Sequence, residues 1–134
     1  MKKNYFLHTA ILLVALVCGS VPVWSQTYKK ISSIEELTDG KYVIAYENMA
    51  MENKANGSRI AATAINVTDN AIISPDASII WEITTTANGM SINNNGTYVV
   101  GVNSNNASLS SNFEEKTCEW NFSVEKDNFR ATNV

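Results

Sequence analysis

Between Tyr28 and Val134 the apolar residues fall in short runs, broken by Asn, Gly, Asp and Ser. That spacing predicts strands separated by tight turns rather than helices, which need apolar residues at a period near 3.6. Lys41-Tyr42-Val43-Ile44-Ala45-Tyr46 is aromatic and β-branched, as strands favour. Further strands are predicted at Ile60–Val67, Ala71–Ile73, Ile79–Thr84, Met90–Ile92 and Thr97–Val100. The clearest alternation places Cys118, Trp120, Phe122 and Val124 on one face, with Glu119, Asn121 and Ser123 on the other. Only Ser32-Ser33-Ile34-Glu35-Glu36-Leu37 carries a helix signal. It is a capping box in which Ser33 bonds forward and Glu36 reaches back, for one turn that Thr38-Asp39-Gly40 ends. The expected fold class is all-β.

The N-terminus follows a different pattern. Lys2 and Lys3 precede the apolar run Ala10–Val17, and Gly19, Ser20 and Pro22 follow it. Residues 1–25 therefore read as a signal peptide, in helical form, with cleavage after Ser25. The strongly apolar core is about half the length that a spanning helix needs, so no membrane span is expected after cleavage. Cys18 raises a lipoprotein reading, but Leu16-Val17 are larger than the small residues that such processing prefers. Residues 26–134 form the expected domain, exported to the medium or the cell surface.

Export changes the cysteine and charge arithmetic. Only Cys118 remains after Ser25, so no disulfide closes within the domain, and a buried, inert thiol is expected. The whole chain carries a net charge of −3, and loss of Lys2 and Lys3 takes the domain to −5. An acidic surface of this kind argues against nucleic acid as a partner. Asparagine is the compositional outlier, with 17 copies in the chain. Seven stand where hairpin tips are predicted, at Asn88-Gly89, Asn93-Asn94-Asn95-Gly96 and Asn103-Ser104-Asn105-Asn106, because Asn tolerates the left-handed conformation. The Asn-x-Ser/Thr triplets at Asn56, Asn66, Asn95, Asn106 and Asn121 are expected by chance in such a composition and are not read as glycosylation sites.

A repeat organises the rest. Trp81-Glu82-Ile83-Thr84 and Trp120-Asn121-Phe122-Ser123 stand 39 residues apart and share a Trp-x-apolar-hydroxyl pattern. Asn88-Gly89-Met90-Ser91 keeps register with Asp127-Asn128-Phe129-Arg130, and Gly40-Lys41-Tyr42-Val43 is related to Gly96-Thr97-Tyr98-Val99. Units near 40 residues, three to a domain, are the plan of a β-trefoil. On that plan the third unit is incomplete, and the sequence is expected to be a C-terminally truncated piece of a longer chain.

Leu37-Thr38-Asp39-Gly40-Lys41-Tyr42-Val43-Ile44, with the later Trp-x-Ile and Gly-x-Tyr-Val runs, resembles a family of secreted β-domains from Bacteroides-like bacteria. The resemblance spans Tyr28 to Val134. It implies an exported domain set within a larger protein, and it transfers no catalytic residue.

Candidate chemistry is sparse. The single histidine is His8, inside the leader, so the domain has none for a triad, a proton shuttle or a zinc site. No phosphate-binding loop or dinucleotide fingerprint is present, and no cofactor or metal is expected. Glu35-Glu36 belongs to the capped turn, and Glu114-Glu115-Lys116 reads as a solvated loop. A glycosidase needs two carboxylates across a cleft, so a hydrolase fragment is the weakest alternative. Trp81 and Trp120 could stack on sugar rings, but their inward positions between apolar neighbours favour the core. Ligand-binding candidates are Tyr46, Asn48, Asn103 and Asn105, just beyond the Gly-x-Tyr-Val strands, where amides can donate to and accept from sugar hydroxyls. The expected function is non-catalytic binding of a polysaccharide or cell-surface glycan, by a monomer or by part of a larger chain. The alternative is a structural spacer or adhesion module with no small-molecule site.

Overall fold

The structure is a computed structural model that describes residues 11–15, 26–73, 75–103 and 106–134, with residues 11–15 and 103 described as backbone only. It is all-β: strands account for 60% of it, no helix reaches seven residues, and the sheet closes almost into a barrel. No helix among the described residues is long and apolar enough to cross a membrane.

The strands are β1 (Ile11–Ala15), β2 (Thr27–Lys30), β3 (Gly40–Tyr46), β4 (Met49–Asn56), β5 (Arg59–Ala64) and β6 (Ala71–Ile73). They continue as β7 (Ile80–Thr85), β8 (Met90–Asn94), β9 (Thr97–Asn103), β10 (Asn106–Ser110), β11 (Trp120–Glu125) and β12 (Asn128–Asn133). The sheet runs β10-β9-β8-β7-β3-β1-β2-β6, with the β4–β5 hairpin branching from β3 and the β11–β12 hairpin branching from β8. A 3-10 turn at Ile34–Glu36 follows Ser33, and the Glu36 carboxylate accepts from the Ser32 and Ser33 N–H groups at 3.1 Å each, the backward reach that the capping box predicts.

Turn chemistry sets the hairpins. Asn95 and Gly96 have φ of 49° and 87°, the two left-handed residues that a type I′ turn requires between β8 and β9. Lys126 and Asp127, at 50° and 64°, make the same kind of turn between β11 and β12.

Two cores lie on opposite faces of β3. Tyr42 and Ile44 join Trp81, Ile83, Ile92, Val99, Trp120 and Phe129 in the larger cluster. Val43 and Ala45 join Tyr28, Ala50, Ile72 and Ile79 in the smaller one. Burial of such aromatic and branched side chains contributes roughly 1.5–3 kcal/mol each, which makes the larger cluster the main source of stability.

Several expectations need correction. Two strands were not legible. Met49–Asn56 is rich in Ala, Asn, Lys and Glu, and its strand form comes from pairing with β5. Asn106–Ser110 is likewise polar and is held by β9. Ile11–Ala15 is extended rather than helical, because it pairs with β2 and β3; the rest of the expected leader, Cys18 included, lies outside the described residues. Finally, β11 begins at Trp120, so the predicted alternation holds over part of its length only. Glu119 is 1% exposed, and the apolar face fades from buried Trp120 to Val124 at 39%.

Candidate functional site

The 39-residue interval is built into the hydrogen bonding. In β7–β8 the cross-strand partners are Glu82/Asn93, Ile83/Ile92, Thr84/Ser91 and Thr85/Met90. In β11–β12 they are Asn121/Thr132, Phe122/Ala131, Ser123/Arg130 and Val124/Phe129, each 39 residues further along. Asn94 Nδ2 donates to the carbonyls of Ala77 and Ile80, both at 2.9 Å. Asn133 Nδ2 donates to those of Lys116 and Glu119, at 2.7 and 2.9 Å, the positions one interval on, and also to Thr117. Each Asn therefore clamps the segment leading into the Trp strand of its own unit. Both indoles are buried: Trp81 Nε1 donates to the Met51 carbonyl at 2.9 Å and Trp120 Nε1 to that of Val99 at 3.0 Å. Neither is available to stack on a ligand.

The first Asn clamp forms one wall of a cleft of about 440 Å³ lined by Lys41, Ala77, Ser78, Ile80, Glu82, Asn93, Asn94 and Asn95. Register explains its polar row. Lys41 of β3 stands opposite Glu82 of β7, and Glu82 opposite Asn93 of β8, so an ammonium, a carboxylate and an amide cross three strands side by side. Asn94 is fully engaged: besides the two carbonyls, its Oδ1 accepts from Asn53 Nδ2 at 3.1 Å. Asn93 Oδ1 accepts from the Gly96 N–H at 2.9 Å, which leaves the NH₂ end of its amide as the donor it offers. Ala77 and Ile80 give the cleft an apolar margin. Such a surface can recognise a neutral polyhydroxylated ligand by paired donors and acceptors.

The residues singled out from sequence lie elsewhere. Tyr46 is 48% exposed at the end of β3, and Asn48 sits in the tight turn that follows, its carbonyl accepting from the Ile65 N–H at 2.8 Å. Asn103 ends β9 opposite Asn106, in a different hairpin. The side chain of Asn103 and the whole of Asn105 lie outside the described residues. Tyr46 and Asn48 thus share one turn, while the cleft residues Lys41, Glu82 and Asn93 were missed. Their sequence signal is only an outward position in three separate strands, and the register alone brings them together.

Other sequence expectations are met by structural roles. Cys118 is buried and free, its Sγ 3.2 Å from the Glu114 N–H. Glu114, Glu115 and Lys116 are exposed. Asp39 accepts from the Thr85 hydroxyl at 2.6 Å and the Thr85 N–H at 2.8 Å, and these bonds hold its carboxyl below the ordinary range. Glu119 accepts from Asn88 Nδ2 at 2.8 Å and from the Lys116 N–H at 2.7 Å, and its carboxyl is lowered for the same reason. These carboxylates tie strand ends together. Compared with family models, with curated proteins and with solved structures, the chain matches none.

Proposed function

We propose that the protein is a non-catalytic, exported β-domain that binds a polysaccharide or cell-surface glycan through the Lys41–Glu82–Asn93 cleft, as a monomer or as part of a larger surface protein. The observation that carries this reading is the in-register row of ammonium, carboxylate and amide beside an apolar margin. Sugar hydroxyls need donors and acceptors within a few ångströms of each other, and this row offers both. The resemblance to secreted Bacteroides-like domains supports export, and the paired hairpins with their Asn clamps support a β-trefoil-like arrangement. A glycan array followed by calorimetry on the best hit tests the reading. Glu82→Gln and Asn93→Ala are each expected to weaken binding by about tenfold, as the loss of a hydrogen bond to a charged or amide partner does. Equal affinity in both variants would remove the cleft from the account.

One observation favours the spacer reading. Asn94 is wholly committed to Ala77, Ile80 and Asn53, so part of the cleft wall serves the fold. Absence of any glycan hit, with lowered stability in the Glu82 and Asn93 variants, would favour a structural module.

A further inference from the structure

β3 is buried on both faces along Tyr42, Val43, Ile44 and Ala45. A strand covered in this way is an interior strand, and its backbone groups need partners along both edges. One edge is met by β7, opposite Gly40–Val43, and by β4, opposite Ala45 and Tyr46. The other edge, Tyr42 to Ala45, is met wholly by β1, whose Val14, Leu13, Leu12 and Ile11 stand opposite in turn. On its far side β1 faces β2, with Leu13, Val14 and Ala15 opposite Lys30, Lys29 and Tyr28. The outer edge of β2 is already taken by β6. Between β2 and β3 lies a slot one strand wide, antiparallel to both walls, and β1 is its occupant.

That occupant comes from residues 1–25, which the proposed export would remove. We infer that the space between β2 and β3 is a strand-acceptor slot, and that in the exported protein it takes an extended apolar strand from a partner polypeptide. The inference rests on the export reading. Left empty, the slot would present two facing rows of unpaired N–H and C=O groups beside the buried Tyr28 and Val43, an arrangement that templates strand addition. The chemistry of the guest follows from the seat. It accepts Ile-Leu-Leu-Val-Ala, so the guest is apolar and β-forming over about five residues, a usual strand length. Lys29 and Lys30 of β2 border the half of the slot that holds Leu13 and Val14, and Lys41 precedes Tyr42 on the opposite wall. These three cations line the C-terminal half of the guest's apolar stretch, and a lysine side chain is long enough to reach an acidic residue placed at its end. A second copy of the domain is a poorer guest, since β2 to β12 already have strand partners of their own.

Hydrogen exchange on the full chain and on its Leu13→Pro variant tests the slot, because proline removes a donor and cannot continue the ladder. The amides of Thr27–Lys30 and Tyr42–Ala45 that face the slot are expected to exchange about tenfold faster or more in the variant, whereas that of Lys30, which donates to the Asn70 carbonyl, is not. A synthetic peptide of Thr9–Val17 extended by glutamates should restore their protection saturably at one peptide per chain, and the same peptide with proline for Leu13 should not. If Leu13→Pro prevents folding, recovery of the near-ultraviolet signal of Trp81 and Trp120 on adding the first peptide supports the slot equally. Unchanged exchange in Leu13→Pro, no recovery with the peptide, or equal recovery with the proline peptide overturns it. Recovery by self-association alone, seen in sedimentation, overturns the partner assignment. N-terminal sequencing of the exported product examines the export reading separately: retention of Ile11–Ala15 overturns the partner guest, because the slot stays filled from within.

Discussion

The β7–β8 and β11–β12 hairpins share register, buried Trp and Asn clamp, yet they differ at the position just before each Trp. Ile80 occupies it in the first, half-buried and packed against the smaller core. Glu119 occupies it in the second, buried, with Asn88 and Lys116 donating to its carboxylate. The same backbone thus accepts an apolar contact in one unit and a satisfied charge in the other. What the repeat preserves is the hydrogen-bond frame; what it leaves free is the side chain that joins a unit to its neighbour. Asn88 lies in the turn of the first hairpin, so Glu119 links the two units. Gly89 in that turn supports the link, since a Cβ there would stand 2.7 Å from the Trp120 carbonyl oxygen.

The most severe way to break the comparison is to remove the indoles. Trp81→Ala and Trp120→Ala are each expected to destabilise by about 3–5 kcal/mol, through cavity formation and an orphaned carbonyl, as read by urea unfolding. A near-neutral Trp120→Ala would show that the second hairpin does not contribute equally. Next come the clamps. Asn94→Ala leaves the Ala77 and Ile80 carbonyls without their donor and should cost about 2–3 kcal/mol, with Asn133→Ala below it because that side chain is less buried. Equal losses would mean that burial adds nothing to the clamp. Gly89→Ala should cost about 1–3 kcal/mol by overpacking against Trp120, measured by thermal unfolding.

The link between units is the pH-sensitive part. Asn88 first, then the Lys116 N–H, favours the ionised form of Glu119 and lowers its pKa in the folded protein. A lowered folded pKa means that the contribution is present above the unfolded carboxylate pKa and is lost as pH falls through the folded value. Unfolding followed from neutral to acidic pH should therefore show a fall in stability that is shallower in Glu119→Gln. Asp39 and Glu36 are lowered as well, so some acid sensitivity should remain. Glu119→Ile, which installs the residue of the first unit, should remove the same portion of the pH dependence. The smallest effect is expected at Gly96, where φ of 87° makes Ala cost about 1 kcal/mol without altering the frame.

Much of the frame was legible. Trp81 and Trp120 announced the interval because large aromatic residues at matching places signal matching cores. Asn95-Gly96 announced a hairpin through its φ preference. The burial of Glu119 was not legible, because alternation assigns a face by parity and does not say what covers that face; here Asn88 and Lys116 donate to its carboxylate. Met49–Asn56 was missed because its residues have low strand propensity, and pairing with β5 supplies what propensity lacks. The cleft was missed for a different reason: Lys41, Glu82 and Asn93 are ordinary outward residues until three strands align.

The sequence by itself determined the all-β class, the turn positions, the aromatic core and the interval of the repeat. These depend on local φ preference and on the burial of large apolar side chains, which act within a strand or a turn. Only the tertiary structure decided which strands neighbour one another, what covers Glu119, which polar residues form a row and which segment fills the slot beside β3. Those outcomes depend on cross-strand register, and a backbone hydrogen bond can join any two residues that the fold brings within reach.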